Sequence, residues 1–274
     1  MIPAAFDYVR AESAEQAISL IGEHGEDAKF IAGGHSLLPI MKLRLAQPSV
    51  LVDIGRLTDL SYIRDAGDHI AIGALTRHMD IENSSVLAEH VPLLAHAASY
   101  VGDPQVRHRG TIGGSIAHSD PASDLPATTL ALGATYIAQG PGGTREIPAT
   151  EFFQGFLTTA LAPDELLTEI RVPKMNGAGW SFQKFNRRAQ DWAIVGVAAW
   201  RSNGNSGIGL VNMGSVPILA TSVSAALTSG ASIADAAEQA AAEAEPQSDL
   251  NASPEYRIHL AKVLVRRALE GASA

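Results

Sequence analysis

Apolar residues recur at helical spacing over residues 13–24, where Ala17, Ile18 and Ile21 share one face. Ser13 and Gln16 have capping-box spacing, and Gly25 marks the end of this helix. Ala28–Ala32 then reads as a short strand, Ser36–Leu45 as a helix or helical turn broken near Pro48, and Val50–Ile54 as a second strand. The opening is thus strand, turn, helix, strand, with a glycine-rich turn at the carboxyl end of the first strand, where α/β folds bind ligands. After Leu57 the rhythm shortens to a strand at His69–Ile72 and helices at Ile81–Ala88 and Leu93–Tyr100. Residues 107–125 carry so many small and polar side chains that a ligand-facing loop is expected. Pro141–Thr144 reads as a turn, Phe152–Leu157 as an aromatic-rich patch, and Asp164–Pro173 as an alternating strand stopped by its proline. Lys174–Gly179 is short, polar and glycine-rich, a linker pattern. Beyond it, Trp180–Phe185, Ala193–Trp200 and Ile208–Met213 read as strands, the first two joined by a charged connection over residues 186–191. Helices are expected at Ser232–Glu245 and Tyr256–Leu269, the latter with Arg266 and Arg267 near its carboxyl end, where cations are favoured.

Two glycine-rich turns stand out. The first is Lys29-Phe30-Ile31-Ala32-Gly33-Gly34-His35-Ser36-Leu37-Leu38; the second is Gly110-Thr111-Ile112-Gly113-Gly114-Ser115. Adjacent glycines remove the Cβ atoms that hold a ligand off, and a row of main-chain N–H groups there forms an anion site. Two such turns, each ending in a hydroxyl residue, fit the two phosphates of a dinucleotide; each alone also fits a plain tight turn. Neither has the G-x-G-x-x-G spacing of a Rossmann site or the Gly-Lys-Ser/Thr ending of a phosphate loop. Asp124, before Leu125-Pro126-Ala127, reads equally as a helix cap and as an acceptor for ligand hydroxyls.

The chain of 274 residues is 46% hydrophobic with a formal charge of −9, enough for one large domain or two smaller ones. Its acidity argues against nucleic-acid binding. The absence of cysteine removes disulfides, thiolate metal sites and cysteine-ligated clusters from this chain; no histidine pair has H-E-x-x-H spacing, and His108 and His118 are split by the second glycine turn, so no metal site is expected. The amino terminus lacks a signal-peptide pattern, and the longest apolar run is too short to span a bilayer, so a cytoplasmic protein without a transmembrane segment is expected.

With both turns and Ser119-Asp120-Pro121-Ala122-Ser123-Asp124-Leu125-Pro126 in view, the chain resembles the FAD-binding medium subunits of molybdenum hydroxylases, the group that holds xanthine dehydrogenase and aerobic carbon monoxide dehydrogenase. The resemblance runs nearly end to end, through residues 32–42, 110–115, Asp191-Trp192-Ala193-Ile194-Val195-Gly196 and Glu255-Tyr256-Arg257. Ile2-Pro3, Phe6-Asp7-Tyr8 and the Ala-Gly-Gly-His-Ser stretch look most like the carbon monoxide dehydrogenase branch.

The resemblance implies an α+β fold, with a two-lobed, PCMH-like FAD-binding domain over residues 1–176 (lobes 1–56 and 57–176). A smaller domain of antiparallel sheet and helices follows over residues 177–274. It implies that Ala32, Gly33, Gly34, His35, Ser36, Leu37 and Leu38 wrap the FAD pyrophosphate, and that Thr111, Gly113, Gly114 and Ser115 form a second phosphate loop. Asp124 and Lys184 would contact the cofactor, Leu167 would lie beside the flavin or adenine, and Trp192 would sit next to the isoalloxazine. Each has a plainer alternative: Lys184 as a solvated strand residue, Leu167 as core, Trp192 as a domain-interface anchor, His35 as a brace for its turn. No catalytic acid, base or nucleophile is expected here. FAD is the implied cofactor of this chain, with [2Fe-2S] clusters on a small iron–sulfur subunit and molybdopterin on a large subunit, in a dimer of heterotrimers. Electrons would pass from the clusters through FAD to an external acceptor, with peripheral attachment at the inner face of the membrane through that acceptor. The rival readings are a self-contained FAD-dependent oxidoreductase and a non-enzymatic nucleotide-binding or scaffold protein.

Overall fold

The computed structural model describes residues 1–272. It opens with β1 (Asp7–Arg10), α1 (Ala14–His24), β2 (Ala28–Ile31), α2 (Leu37–Lys42) and β3 (Val50–Asp53). The Ser13 side chain caps α1 by accepting from the Gln16 N–H, and Gln16 Oε1 accepts from the Glu12 N–H at 2.6 Å. This locks the helix start that its sequence predicts. The three strands form a parallel sheet in the order β1-β3-β2. Ala17, Ile18 and Ile21 of α1 pack on Val50 and Val52, and Leu57, Leu60, Leu75 and Leu166 complete the same core.

A second lobe follows, with β4 (Ile63–Asp65), β5 (His69–Gly73), α3 (His78–Glu82), α4 (Ser85–His90), α5 (Pro92–Ser99), α6 (Pro104–Arg109), α7 (Ile112–His118) and α8 (Asp124–Ala131). It continues through β6 (Thr135–Gly140), β7 (Gly143–Pro148), α9 (Ala149–Phe152), β8 (Phe153–Gly155), β9 (Thr158–Thr159) and β10 (Leu166–Pro173). Strands β4-β5-β10-β6-β7 make an antiparallel sheet whose apolar face packs on α5, α7 and α8. Here the expectations need correction. The predicted helix at Ile81–Ala88 is two helices, because the Ser84 side chain accepts from the Leu87 N–H and starts a new one. Residues 107–125, read as a loop, hold the end of α6, all of α7 and the start of α8. The Asp103 and Thr111 side chains cap α6 and α7, and in α7 the cap offsets the poor helix propensity of Gly113, Gly114 and Ser115.

The last part holds β11 (Gly179–Phe185), β12 (Val195–Ser202), β13 (Asn205–Val211), β14 (Ile218–Leu219), α10 (Thr221–Thr228), α11 (Ile233–Ala237) and α12 (Pro254–Gly271). Its antiparallel sheet runs β11-β12-β13-β14. One face packs on α12 and α10, the other on α8. Added Cβ atoms at Gly207 and Gly209 would run into the carbonyls of Ala131 and Ala127, so this alternating pair lets α8 lie flush on β13. The Trp200 indole fixes the contact by donating to the Ala131 carbonyl at 2.7 Å. The predicted helix over 232–245 is α-helical only to Ala237 and continues as turns. Arg266 and Arg267 precede the last turn of α12, and Arg266 pairs with Glu270. The segment at 174–178 is packed rather than loose: Met175 and Ala178 are buried, and the Met175 N–H donates to the His90 carbonyl at 2.9 Å.

Candidate functional site

The first glycine turn joins β2 to α2. Gly34 sits at φ +75°, a conformation that favours glycine and turns the chain into α2. The His35 ring Nδ1 donates back to the Gly33 carbonyl at 3.3 Å, so the histidine braces the turn. Ser36 stands at the helix start without capping it. The main-chain N–H groups of Gly33, Gly34, His35, Ser36 and Leu37 have no acceptor among the described residues. Five consecutive free donors in a half-exposed turn are what an anionic ligand needs. Ala32 and Leu37 flank the turn half-buried, and Leu38 is exposed.

The second glycine segment is built differently, and the expected row of free N–H groups is absent from it. Thr111 caps α7, its Oγ1 accepting from the Gly114 N–H at 3.1 Å. The Ile112 N–H donates to the Thr76 carbonyl, that of Gly113 to Ala74 and that of Ser115 to Thr111. The segment is the first turn of a helix, so its donors are already used. What it presents is the exposed, Cβ-free Gly114 and the half-exposed Ser115, whose hydroxyl makes no hydrogen bond among the described residues. Gly113 faces inward: a Cβ there would lie 2.6 Å from the Ala74 carbonyl oxygen.

The two segments touch. A Cβ on Gly33 would run into the Arg109 carbonyl and Gly110, at the mouth of the second segment. The Arg77 side chain donates to that same Arg109 carbonyl, Arg77 bridges to Thr111, and the His78 N–H donates to the Gly110 carbonyl at 3.0 Å. The buried His78 ring packs on Gly110, and its Nδ1 has no partner. Burial first, then Arg77, His35 and Arg107, pushes His78 down to about 4, so the ring is neutral near pH 7. Local sequence did not mark Arg77 or His78; their partners lie some thirty residues away.

Asp124 and Lys184 come together as a buried ion pair, Nζ to Oδ2 at 2.7 Å, and Lys184 also donates to the Tyr100 carbonyl at 2.9 Å. Lys184 is therefore not a solvated strand residue. Ser123 occupies the cap position of α8 and Asp124 its first helical position. Burial pushes the Asp124 carboxyl up to about 6 against the pull of Lys184, and Oδ1 is left without a partner. Leu167 is buried in the second-lobe core at a bulge of β10. Trp192 is 60% exposed in the connection between β11 and β12, so it anchors no interface within this chain. That connection is pinned at its end by buried Arg257 of α12, which donates to the Ile194 carbonyl and pairs with Asp249 at 2.6 Å.

Residues 4–175 match the family model described as the FAD binding domain in molybdopterin dehydrogenase, and residues 180–272 match that of the CO dehydrogenase flavoprotein C-terminal domain. The carbon monoxide dehydrogenase medium chain of Hydrogenophaga pseudoflava is 42% identical over 285 residues, covering 100% of this chain and 99% of that one. The 6-hydroxypseudooxynicotine dehydrogenase complex subunit alpha of Paenarthrobacter nicotinovorans is 39% identical over 280 residues, covering 98% of this chain and 95% of that one. A solved structure of carbon monoxide dehydrogenase from Hydrogenophaga pseudoflava, lacking the Mo-pyranopterin moiety of the molybdenum cofactor, superposes with TM-score 0.96 at 43% identity, covering 99% of this chain and 98% of that one. No helix among the described residues is long and apolar enough to cross a membrane. This chain belongs to the FAD-binding family of molybdopterin dehydrogenases and is an oxidoreductase subunit with FAD as its cofactor.

Proposed function

We propose that this chain is the electron-transfer subunit of a molybdenum-containing hydroxylase or dehydrogenase complex, taking electrons from [2Fe-2S] clusters on a partner and passing them to an external acceptor. The observation that carries the cofactor's placement is the run of unpaired N–H groups from Gly33 to Leu37. These residues would hold the pyrophosphate, with the Ser36 and Ser115 hydroxyls as further donors and Gly114 allowing close approach. Asp124 would offer its unpaired Oδ1 to a ligand hydroxyl while Lys184 neutralises its other oxygen. Trp192 would cover the flavin ring, and Leu167 would support the site from the core. Bound FAD supplies one- and two-electron redox chemistry; the chain supplies grip, orientation and electrostatics. We propose no catalytic acid, base or nucleophile among these residues.

The partners we propose are a small iron–sulfur subunit and a large molybdopterin subunit, assembled as a dimer of heterotrimers in the cytoplasm, peripheral at the inner membrane face through the acceptor. The domain division we propose falls at 176/177, with lobes 1–56 and 57–176. The substrate would be oxidised on the large subunit, and the relatives of this chain include carbon monoxide and nicotine-derivative dehydrogenases. Among these, carbon monoxide is the substrate we favour, on the slightly higher identity of that branch. Titration of the flavin-stripped chain with FAD tests the cofactor assignment. Stoichiometric uptake that Gly114→Val blocks supports it; uptake unaffected by that change overturns the loop assignment.

A further inference from the structure

In a chain of net charge −9, two arginines gather where the glycine segments meet, Arg77 and Arg109, with Arg107 two residues before Arg109 in α6. Arg107 is neutralised by Glu82 at 2.7 Å. Arg77 and Arg109 enter no ion pair among the described residues. Arg77 is half-buried and donates a hydrogen bond to the Arg109 carbonyl. The carboxylates of Asp80 and Asp53 act on it without forming an ion pair, and Asp53 is already occupied by the Tyr8 hydroxyl and the Gly55 N–H. The Arg109 carbonyl that holds Arg77 is also the group that closes over Gly33. Burial and then Arg109 both work against the charge on Arg77.

A half-buried guanidinium without a counter-ion, with a second arginine acting against its charge, is costly to keep unless an anion joins it. We infer that Arg77, backed by Arg109, supplies the fixed positive charge that meets the FAD pyrophosphate, and that its bond to the Arg109 carbonyl holds the two glycine segments together for that purpose. The inference rests on the FAD assignment above. The free N–H groups at Gly33–Leu37 give direction to the phosphates; the arginines add net charge, which amide dipoles lack. A guanidinium also keeps spare donors after bonding one carbonyl, so clamping the backbone and meeting an anion are compatible in one side chain.

The test uses the full chain stripped of flavin, with FAD as the probe, followed by flavin fluorescence at several potassium chloride concentrations. Arg77→Gln is expected to weaken FAD binding roughly tenfold or more and to flatten its salt dependence, because a screened charge–charge contact has been removed. Arg77→Lys should recover part of the affinity and restore the salt slope. Arg109→Gln removes an exposed side chain while keeping its carbonyl, so the fold is retained, and it should show a smaller loss of the same kind. FAD binding by both glutamine variants within about threefold of the unaltered chain, with the salt slope unchanged, would overturn the inference while leaving the FAD assignment standing. Failure of the unaltered chain to take up FAD at all would overturn both.

Discussion

Lys184 Nζ lies 2.7 Å from Asp124 Oδ2, and this pair joins β11 to the first turn of α8 with both side chains at most 5% exposed. It fixes the junction between the carboxyl-terminal sheet and the helix that follows the second glycine segment. Lys184→Met is expected to destabilise the chain by about 3–5 kcal/mol near pH 8, because it leaves a buried carboxylate without its counter-charge. Burial has already pushed Asp124 up to about 6, so the penalty should shrink as pH falls through 6 and the carboxyl takes a proton. Urea unfolding at pH 8 and pH 5 measures this. An equal penalty at both values would mean that the pair does not control the junction.

The pH dependence of the whole molecule contains two opposed contributions. Asp124 has a folded pKa above its unfolded value, so its contribution is present below about pH 4 and lost as pH rises through 6. His78 has a folded pKa of about 4, below its unfolded value, so its contribution is present above about pH 6.5 and lost as pH falls toward 4. Over pH 4–6 the two partly cancel. Asp124→Asn should therefore gain on the unaltered chain as pH rises through this window, and His78→Phe should gain as pH falls. Each difference should amount to roughly 2–3 kcal/mol, at about 1.4 kcal/mol per pH unit. Thermal melts of the three proteins across the window check the signs.

Gly113 and Gly114 are neighbours with different duties. Ala at 113 would press its Cβ against Ala74, at 2.5 Å from Cβ and 2.6 Å from the carbonyl oxygen. A cost of about 1–3 kcal/mol is expected from that overpacking. Ala at 114 would press its Cβ on the capping Thr111 hydroxyl at 2.7 Å, a cost of about 1 kcal/mol that the better helix propensity of Ala, roughly 0.5–1 kcal/mol, largely offsets. Gly114→Ala should thus melt close to the unaltered chain yet bind FAD more weakly, whereas Gly113→Ala should lose stability first. Comparing melting temperature with FAD affinity separates them, and unchanged affinity in Gly114→Ala would remove that residue from the site.

Trp192 is exposed while Trp180 and Trp200 are half-buried, so fluorescence can report on it selectively. FAD addition should quench the tryptophan emission, and Trp192→Phe should abolish most of that quenching. Trp192→Ala should weaken FAD binding about threefold to tenfold, the worth of an aromatic contact. Undiminished quenching in Trp192→Phe would place the flavin elsewhere.

The first lobe was readable because its signals are local. Ser13 and Gln16 meet within one helical turn, and Gly34 must turn the chain where a strand ends. The α+β class and the later antiparallel sheet followed from alternating patterns and from the family resemblance. The helices between 104 and 118 were not readable, since their caps and packing override a composition that favours loops. The exposed strand β1 lacks an alternating apolar face and left no pattern. Asp124 and Lys184 were each picked out singly, but sixty residues separate them and nothing local announces the pair. The same holds for Arg77, whose partner carbonyl belongs to Arg109. Which N–H groups stay free is also decided by neighbours: Thr76, Ala74 and Thr111 use up those of the second segment from Ile112 to Ser115, and none among the described residues does so for the first.

The central claim is that this chain works as the flavin-bearing member of a larger molybdenum enzyme. The most direct test is affinity purification of the chain from its native host, followed by visible spectroscopy, flavin release and metal analysis of the eluate. We predict FAD on this chain, together with iron, molybdenum and two further polypeptides. A yellow protein that elutes alone and turns over substrate unaided would contradict the account.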